Sequence, residues 1–589
     1  MRPCLRKPRS SLSECETERP DGISIVRSGF AQSLHSERAN RAGIAKAFVG
    51  AYAVGHRRWR MQKVISMQPI LVNGSWQAAQ SVDSFSAFDP TTGESLPESF
   101  PISGWSDCEA ILQAADAAAI AMRQLAPPAI ADFLDDYAAA IDQSADDVCR
   151  LAARETGLPF QPRLKDVELK RTTDQLRQAA AAARDGSWSM PTIDRPNQLR
   201  SYLAPVGPVV VFGPNNFPLA FNAIAGGDFA AAIAAGNPVI AKAHPSHPGT
   251  SRKLAELAAI TLAGSSLPRA ACQMLYHLPP EIGIRLVTDR RVGAVAFTGS
   301  KPSGLALKSA CDAVGKPIYL EMSSLNPVVL LPGALRERGA EIAEQLFASC
   351  TAAAGQMCTS PGLVFVVSDP AASAFGGRVV QRFRESTPGT LLSPTVLKSL
   401  DENIQRVVAS GADLVTGGRP IPGKRLAFEN TLLRTSGWEF LKKSDAFQTE
   451  MFGTATLLVT AADSSELIAA LQCLQASLTA AIYSSTAGAD DSLYREVAGV
   501  LRPKVGRMMN DKMPTGVVVS PAMQHGGPFP ATGHAGFTSV GIPASLRRFA
   551  MLQCFDHVRE QRLPPTLRDQ NPNGKMLRCI DGRWTTDNV

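Results

Sequence analysis

Three side chains suited to one covalent reaction lie far apart in this sequence. Cys358 ends a Gly-Gln-Met-Cys stretch, Asn216 lies inside Pro-Asn-Asn-Phe-Pro, and Glu321 begins Glu-Met-Ser-Ser. A thiolate can attack a carbonyl carbon, an amide N–H can stabilise the resulting oxyanion, and a carboxylate can activate the water that releases the product. These are the groups needed to oxidise an aldehyde through a thioester.

Each of the three also has a purely structural interpretation. The chain contains eleven cysteines, and a cysteine is most often a small buried hydrophobic residue. Asn216 begins a stretch predicted to be helical over 216–235, where Asn is a favoured N-cap. Glu321 ends a predicted strand, where a carboxylate is usually solvated. For Cys358, the preceding Gly355 and a position between a predicted helix and strand favour presentation of the thiol into a cleft.

The elements that must position these groups alternate between short apolar runs and alanine-rich stretches. Apolar runs at 208–212, 238–242 and 292–297 are separated by stretches of ten or more residues with helical character. A second alternation begins at 327–331. Strands of about five residues separated by helices indicate a parallel, helix-covered sheet. The sequence therefore predicts an α/β fold with a doubly wound cofactor-binding domain and a catalytic α/β domain.

Length and charge limit the remaining function classes. The 589 residues are 45% hydrophobic and 19% charged, and about three domains would be ordinary for this length. The net charge of +7 lies entirely in residues 1–60, so the body of the chain is not expected to bind nucleic acid. No apolar run is long enough to span a membrane. The odd cysteine count, without Cys-x-x-Cys, predicts a reducing cytoplasm, no disulfide framework and no metal site.

One glycine turn suggests a nucleotide. Phe297 and Thr298 lead into Gly299-Ser300-x-x-x-Gly304, a strand followed by a turn and a helix start. Backbone N–H groups and the helix dipole favour a pyrophosphate at such a position. The pattern is common in α/β proteins, so it is weak by itself.

In the order Asn216, Glu321 and Cys358, these motifs resemble the aldehyde dehydrogenase superfamily. The resemblance extends from about residue 70 to 585. Three further stretches are similar to the 2-oxoglutarate semialdehyde (2,5-dioxovalerate) dehydrogenases: Lys-Ala-His-Pro-Ser-His-Pro-Gly-Thr from Lys242, Gly-Gln-Met-Cys-Thr-Ser-Pro-Gly through Cys358, and His-Gly-Gly-Pro-Phe-Pro-Ala-Thr from His525.

The resemblance implies roles for these residues. Cys358 would be the nucleophile, Asn216 the oxyanion donor and Glu321 the base that activates water. The cofactor, NADP or NAD, would contact a set of residues in the two domains: Lys242, Gly299, Ser300, Gly304, Glu450 and Phe452. An acidic residue three positions after the lysine often marks NAD preference in the family, and Pro245 stands there. We therefore expect NADP to be used at least as readily as NAD.

The implied substrate is 2-oxoglutarate semialdehyde, oxidised to 2-oxoglutarate. Its distal carboxylate needs a cationic partner, and Arg163 and Arg171 are the candidates. Where the resemblance predicts an arginine, this chain has Gly536 followed by Phe537. Another semialdehyde, a medium-chain aldehyde, a CoA-acylating reaction or a non-catalytic family member therefore stay as alternatives.

The resemblance also predicts a homodimer or homotetramer assembled through a small bridging sheet. Residues 1–66 are expected to be an extension outside the fold. The predicted divisions of the remaining chain are a cofactor domain (67–186 and 206–320), a catalytic domain (321–542), a bridging sheet (187–205 and 543–560) and a C-terminal tail (561–589).

Overall fold

The computed structural model describes residues 67–536 and 538–589, so the predicted extension over 1–66 lies outside the described residues. The strands are β1 (Ile70–Val72), β2 (Ser75–Gln77), β3 (Ser81–Asp89), β4 (Glu94–Ser103), β5 (Thr192–Asp194), β6 (Leu199–Pro205), β7 (Val209–Phe212), β8 (Val239–Lys242), β9 (Cys272–Leu275), β10 (Ala294–Thr298), β11 (Ile318–Glu321), β12 (Val328–Leu330), β13 (Leu363–Val367), β14 (Asp413–Thr416), β15 (Thr431–Ser436), β16 (Ala455–Ala461), β17 (Ser477–Tyr483), β18 (Val505–Asn510), β19 (Ala550–Asp556), β20 (Arg578–Ile580) and β21 (Arg583–Thr585).

Helices flank these strands, and a π-helical segment at Phe160–Leu169 runs directly into one of them. The helices are α1 (Trp105–Met122), α2 (Pro127–Gln143), α3 (Ala145–Thr156), α4 (Lys170–Asp185), α5 (Gly227–Ala234), α6 (Pro248–Gly264), α7 (Pro280–Thr288), α8 (Lys301–Ala313), α9 (Pro332–Thr351), α10 (Pro370–Glu385), α11 (Pro394–Ala409), α12 (Gly437–Lys442), α13 (Ser444–Phe447), α14 (Ser464–Gln472) and α15 (Asp491–Leu501). None of them combines the length and apolar character that crossing a bilayer requires.

The first sheet has the strand order β11-β10-β7-β8-β9-β1-β2, and its strands from β11 to β9 are parallel. The central strands are apolar along nearly their whole length because helices cover both faces. Their carboxyl ends lie along one edge, which brings Lys242, Thr298 and Glu321 to the same side of the sheet. Ligands of open α/β sheets bind at this edge.

The second sheet has the order β14-β15-β16-β13-β12-β17-β18 and is parallel except for β14. Cys358 lies in the loop between α9 and β13, at the amino end of that strand. Thus the nucleophile candidate comes from the second sheet, whereas the carboxylate candidate ends a strand of the first. The site depends on how two separate sheets face each other.

The third sheet, β19-β6-β5-β20-β21, joins distant parts of the chain. Strands β6 and β19 pair antiparallel, and β20 pairs parallel with β5. The C-terminal strands are anchored by Arg578, which is fully buried and donates to the carbonyl oxygens of Arg568, Asp569 and Asp587. Residues 64–589 form one compact unit by their internal contacts, so the finer domain boundaries stay a prediction.

The helix expected over 216–235 begins only at Gly227, so that expectation was wrong at its start. Residues 214–226 form turns instead, because a buried carboxylate binds their backbone. Glu168 accepts from the N–H groups of Leu219 and Ala220 at 2.8 and 3.0 Å. Asn216 is therefore not a helix N-cap, and its side chain is available for another role.

Candidate active site

The loop that carries Cys358 has a constrained backbone. It follows a 3₁₀ turn at Ala352–Gly355, where Gly355 has a φ of 71°. A Cβ at Gly355 would overlap the backbone of Gly453, so only glycine fits there. Gln356 then fixes the loop, since its side chain donates to the carbonyls of Ala353 and Thr390 and accepts from Leu392 N–H.

Asn326 holds the nucleophile's own backbone. Its Nδ2 donates to the carbonyl oxygens of Cys358 at 2.8 Å and Ser360 at 3.0 Å. Its Oδ1 accepts from the hydroxyls of Ser324 and Thr479. Every polar atom of this buried amide is thereby used for orientation, which explains why a serine- and asparagine-containing segment follows Glu321.

Asn216 is buried and lies against the same loop. Its Nδ2 donates to Gln356 O at 3.0 Å, which uses one of its two amide hydrogens. Within the described part of the chain, the Cys358 backbone N–H has no hydrogen-bond acceptor. One amide hydrogen and one backbone N–H therefore remain to stabilise an oxyanion formed beside the sulfur.

His525 connects the thiol to the carboxylate. Its Nε2 lies 3.3 Å from Cys358 Sγ and 3.0 Å from Glu321 Oε1, while Ser539 Oγ donates to the other oxygen of Glu321. The His525 side chain is 0% exposed, and that of Glu321 is 5% exposed. The backbone of His525 is held by Thr538 Oγ1, which accepts from its N–H at 2.8 Å.

This neighbourhood shifts two pKa values. Burial acts to lower the pKa of His525, but the negative charges of Glu321 and Cys358 outweigh it and raise the pKa to about 10. Burial acts to raise the pKa of Glu321, but His525, Ser539 and Arg171 together lower it. At neutral pH, His525 is therefore protonated and Glu321 is ionised.

The two candidate substrate arginines have different surroundings. Arg163 is paired with the buried Glu168 and donates to Asn216 O at 3.1 Å. The guanidinium of Arg171 stacks on two aromatic rings, 5.5 Å from the Phe217 centroid and 4.8 Å from that of Phe221. Its Nε and Nη2 are buried and have no hydrogen-bond partner among the residues described.

Phe217 and Phe221 form an apolar cluster against which Cys358 packs. Burial lowers the pKa of Arg171, while the charge of Cys358 acts to raise it, so guanidinium and thiol are close enough to interact. Arg507 is a further cation on this side. Burial lowers its pKa as well, and the charge of Cys358 opposes that shift. The thiol therefore faces an apolar space with buried positive charge.

The predicted cofactor residues lie at the edge of the first sheet and in the second. Lys242 ends β8, and burial lowers its pKa to about 8. No hydrogen-bond acceptor or ion-pair partner for its ammonium group occurs over 67–536 and 538–589. Ser300 precedes α8 without capping it, which leaves the N–H groups of the first turn available to a phosphate. Gly304 is buried in the same helix.

Glu450 and Phe452 approach from the second sheet. Both line a cavity of about 270 Å³ that also reaches Met357, next to the nucleophile. Burial raises the pKa of Glu450, whose Oε1 accepts from Ser324 N–H at 3.2 Å. An unpaired ammonium, an uncapped helix start and a carboxylate beside the nucleophile loop together fit a dinucleotide.

Position 245 carries no carboxylate, but one occurs close by in the fold. Glu155 accepts from the N–H groups of Gly249 and Thr250, both at 2.8 Å, and from the Thr250 hydroxyl at 2.6 Å. It thus caps the start of α6. Burial raises the pKa of Glu155 to about 7, against the effect of these donors. Both of its oxygens are used by the protein itself.

Comparison with known proteins gives the family. The aldehyde dehydrogenase family profile matches residues 76–521. The chain belongs to the aldehyde dehydrogenase family. It is 36% identical over 512 residues to alpha-ketoglutaric semialdehyde dehydrogenase 2 of Azospirillum brasilense, covering 85% of this chain and 96% of that one. It is 35% identical to alpha-ketoglutaric semialdehyde dehydrogenase of Acinetobacter baylyi, covering 77% and 87% of the two chains.

The fold is likewise that of an aldehyde dehydrogenase, which confirms the predicted fold class. The structure of the NAD⁺ complex of aldehyde dehydrogenase from Bacillus cereus superposes with a TM-score of 0.72. That alignment covers 83% of this chain and 96% of the other at 19% identity. The protein is an oxidoreductase that acts on aldehydes.

Sequence reasoning missed four residues of this aldehyde dehydrogenase site: His525, Ser539, Asn326 and Arg507. His525 begins a stretch already noticed as typical of one branch, so its position was marked although its contact with the thiol was not. Arg507 and Ser539 carry no signal in the sequence. Phe537, expected near the substrate, lies outside the described residues.

Proposed function

We propose that this aldehyde dehydrogenase oxidises 2-oxoglutarate semialdehyde (2,5-dioxopentanoate) to 2-oxoglutarate, with NADP or NAD as the oxidant. The observation that carries the reaction is the contact of His525 Nε2 with both Cys358 Sγ and Glu321 Oε1. It joins nucleophile, proton acceptor and base in one buried group. The names of the two relatives described above support the substrate.

In the first half of the reaction, Cys358 attacks the aldehyde carbon as a thiolate. His525 holds the proton taken from the thiol, at Nε2, and its positive charge stabilises the thiolate. Asn216 Nδ2 and the Cys358 N–H stabilise the oxyanion of the thiohemiacetal. One such donor contributes about 3 kcal/mol to the transition state.

The dinucleotide, when bound, supplies the acceptor for the hydride that leaves the substrate carbon. Lys242, Ser300 and the start of α8 would hold its adenosine and phosphate part. Glu450 and Phe452 would hold the nicotinamide part, close to the loop of Cys358. The backbone of Glu450 is itself fixed, because Asn403 Nδ2 donates to its carbonyl at 2.9 Å.

In the second half, Glu321 accepts a proton from the water that hydrolyses the Cys358 thioester. Its lowered pKa keeps it ionised, and Ser539 orients one of its oxygens. General-base catalysis of this kind contributes about 10²–10⁴-fold. A cavity of about 310 Å³ that Glu321, Ser539 and Thr532 line gives water a place beside the carboxylate.

The charge near the thiol favours an anionic substrate. Four C–C bonds of about 1.5 Å separate the aldehyde and carboxylate carbons of 2-oxoglutarate semialdehyde, a distance of about 5 Å. Arg171 interacts electrostatically with Cys358 and keeps Nε and Nη2 unpaired among the described residues. Arg163 is committed to Glu168. We therefore assign the recognition of the distal carboxylate to Arg171.

A medium-chain aldehyde is the second candidate substrate. The cluster of Phe217, Phe221 and Val540 beside Cys358 would accommodate an alkyl chain, and Gly536 supplies no side chain there. A CoA-acylating reaction is less favoured, because such chemistry has no need of a base placed like Glu321.

The test is a substrate panel assayed for NAD(P)H formation with and without CoA. 2-Oxoglutarate semialdehyde, succinate semialdehyde and pentanal are compared at equal concentration, first with NADP and then with NAD. The proposal predicts the highest kcat/KM for 2-oxoglutarate semialdehyde, independent of CoA. A preference for pentanal would favour the second candidate, and a requirement for CoA would overturn the hydrolytic mechanism.

We also propose a cytoplasmic homodimer or homotetramer. Strand β19 is an edge of the third sheet and exposes Met551 and Leu552, the latter 74% exposed. An exposed apolar edge strand of this kind favours pairing with a second copy. Sedimentation analysis of the wild type and of Leu552→Lys tests this assembly.

A further inference from the structure

The three groups that meet at Nε2 of His525 are also metal ligands. Cys358 Sγ, one carboxylate oxygen of Glu321 and a ring nitrogen of His525 all lie within 4.8 Å of one another. One sulfur, one nitrogen and one oxygen form a donor set typical of Zn²⁺ sites that keep a fourth position open. Hard cations such as Mg²⁺ and Ca²⁺ prefer oxygen ligands only.

The distances are close to those that zinc requires. Bonds of about 2.3 Å to sulfur and about 2.0–2.2 Å to nitrogen and oxygen place tetrahedral ligands about 3.4–3.6 Å apart. Here the sulfur–nitrogen distance is 3.3 Å and the nitrogen–oxygen distance is 3.0 Å. Shifts of a few tenths of an ångström, with a rotation of the Glu321 side chain, would complete the geometry.

Charge and surroundings favour the ion as well. A thiolate and a carboxylate neutralise a buried dication, so the occupied site carries no net charge. Ser539 already orients the second oxygen of Glu321, as an outer partner of a metal ligand does. The positive charges of Arg171 and Arg507, which act on Cys358, oppose the ion and limit its affinity.

We infer that Cys358, His525 and Glu321 form a binding site for a soft divalent metal ion such as Zn²⁺, and that its occupation reversibly inhibits the enzyme. The ion binds the sulfur in place of the thiol proton, which is released to solvent. It therefore removes the nucleophile and the base together, and water or the aldehyde is left to compete for the fourth position. Only the inhibition rests on the proposed function, since metal binding is measured independently of turnover.

The decisive experiment is protection of Cys358 from alkylation. The full-length protein is reduced and treated with EDTA, then incubated with or without ZnCl₂. It is next reacted with iodoacetamide, and each cysteine is quantified by mass spectrometry. We expect Zn²⁺ to slow the alkylation of Cys358, while the exposed free cysteines Cys473 and Cys554 react at unchanged rates.

Variants then identify the other two ligands. His525→Asn and Glu321→Gln should each weaken zinc protection of Cys358 by at least about 100-fold, because even outer partners of metal ligands contribute about 10–100-fold to affinity. His557→Asn, at an exposed histidine paired with Asp556, is the matched control and should leave protection unchanged.

Activity gives a separate outcome. In the wild type, Zn²⁺ should raise the apparent KM for the aldehyde, and EDTA should restore the original value. Unprotected Cys358 in the wild type, or equal protection in His525→Asn and Glu321→Gln, would overturn the site. If the proposed oxidation were absent, protection would still be measured, so the two failures are distinguishable.

Discussion

Replacement of Arg171 by methionine should separate charged from uncharged substrates. Methionine keeps the stacking of an unbranched side chain on Phe217 and Phe221 but removes the guanidinium. Two donors, Nε and Nη2, are buried and unpaired among the described residues. Hydrogen bonds to a charged group contribute about 1.5–3 kcal/mol each, so a carboxylate bound to both would gain about 3 kcal/mol at the low end. That energy corresponds to about a 150-fold change.

The assay compares two aldehydes of equal chain length. With 2-oxoglutarate semialdehyde, Arg171→Met should lower kcat/KM about 150-fold, mainly through KM. With pentanal, which lacks the carboxylate, kcat/KM should stay within about threefold of the wild type, or rise, because a buried charge has been removed. Arg171→Lys should restore only part of the loss, since an ammonium cannot bind a carboxylate in the same bidentate geometry.

Arg163 is the matched comparison, because it stacks on the same ring but is already paired. Arg163→Met leaves the carboxylate of Glu168 buried without its partner, which costs about 3–5 kcal/mol of folding stability. A lower thermal unfolding midpoint is therefore expected for this variant. An equal loss of both aldehydes in Arg171→Met, or discrimination only in Arg163→Met, would refute the assignment.

Three further outcomes follow from the site. Glu321→Gln should keep a burst of NAD(P)H but lower the steady-state rate about 10²–10⁴-fold, as pre-steady-state absorbance would show; loss of the burst would contradict a role confined to hydrolysis. Asn216→Ala should lower the burst rate itself about 10²–10³-fold, and an unchanged burst would exclude it as an oxyanion donor. Lys242 loses its charge as pH rises through its lowered pKa of about 8, so the KM for NADP should rise above that pH, by up to about tenfold per unit. Lys242→Met should give a high KM that does not vary over this range, and a similar pH dependence in both proteins would assign the titration to another group.

The strands could be predicted from the sequence because each is a local pattern. The run Leu363–Val367 was expected as a strand and forms β13 with the same bounds. The helix over 216–235 failed at its start because the deciding group, Glu168, lies about fifty residues away and binds the backbone of Leu219 and Ala220. Composition within a window cannot reveal a distant carboxylate that satisfies turns and so prevents a helix.

By itself, the sequence determined the family, the strand and helix alternation, and a thiol, an amide and a carboxylate whose neighbouring residues marked them. Their roles rest on contacts that only the tertiary structure decided. His525 meets Cys358 and Glu321 although 167 and 204 residues separate it from them in the chain. Arg163 and Arg171 look alike in sequence, but Glu168 pairs with one and leaves the other without an ion pair among the described residues. The physical reason is that charge, burial and hydrogen bonding are set by neighbours in space, and two separate sheets bring those neighbours together.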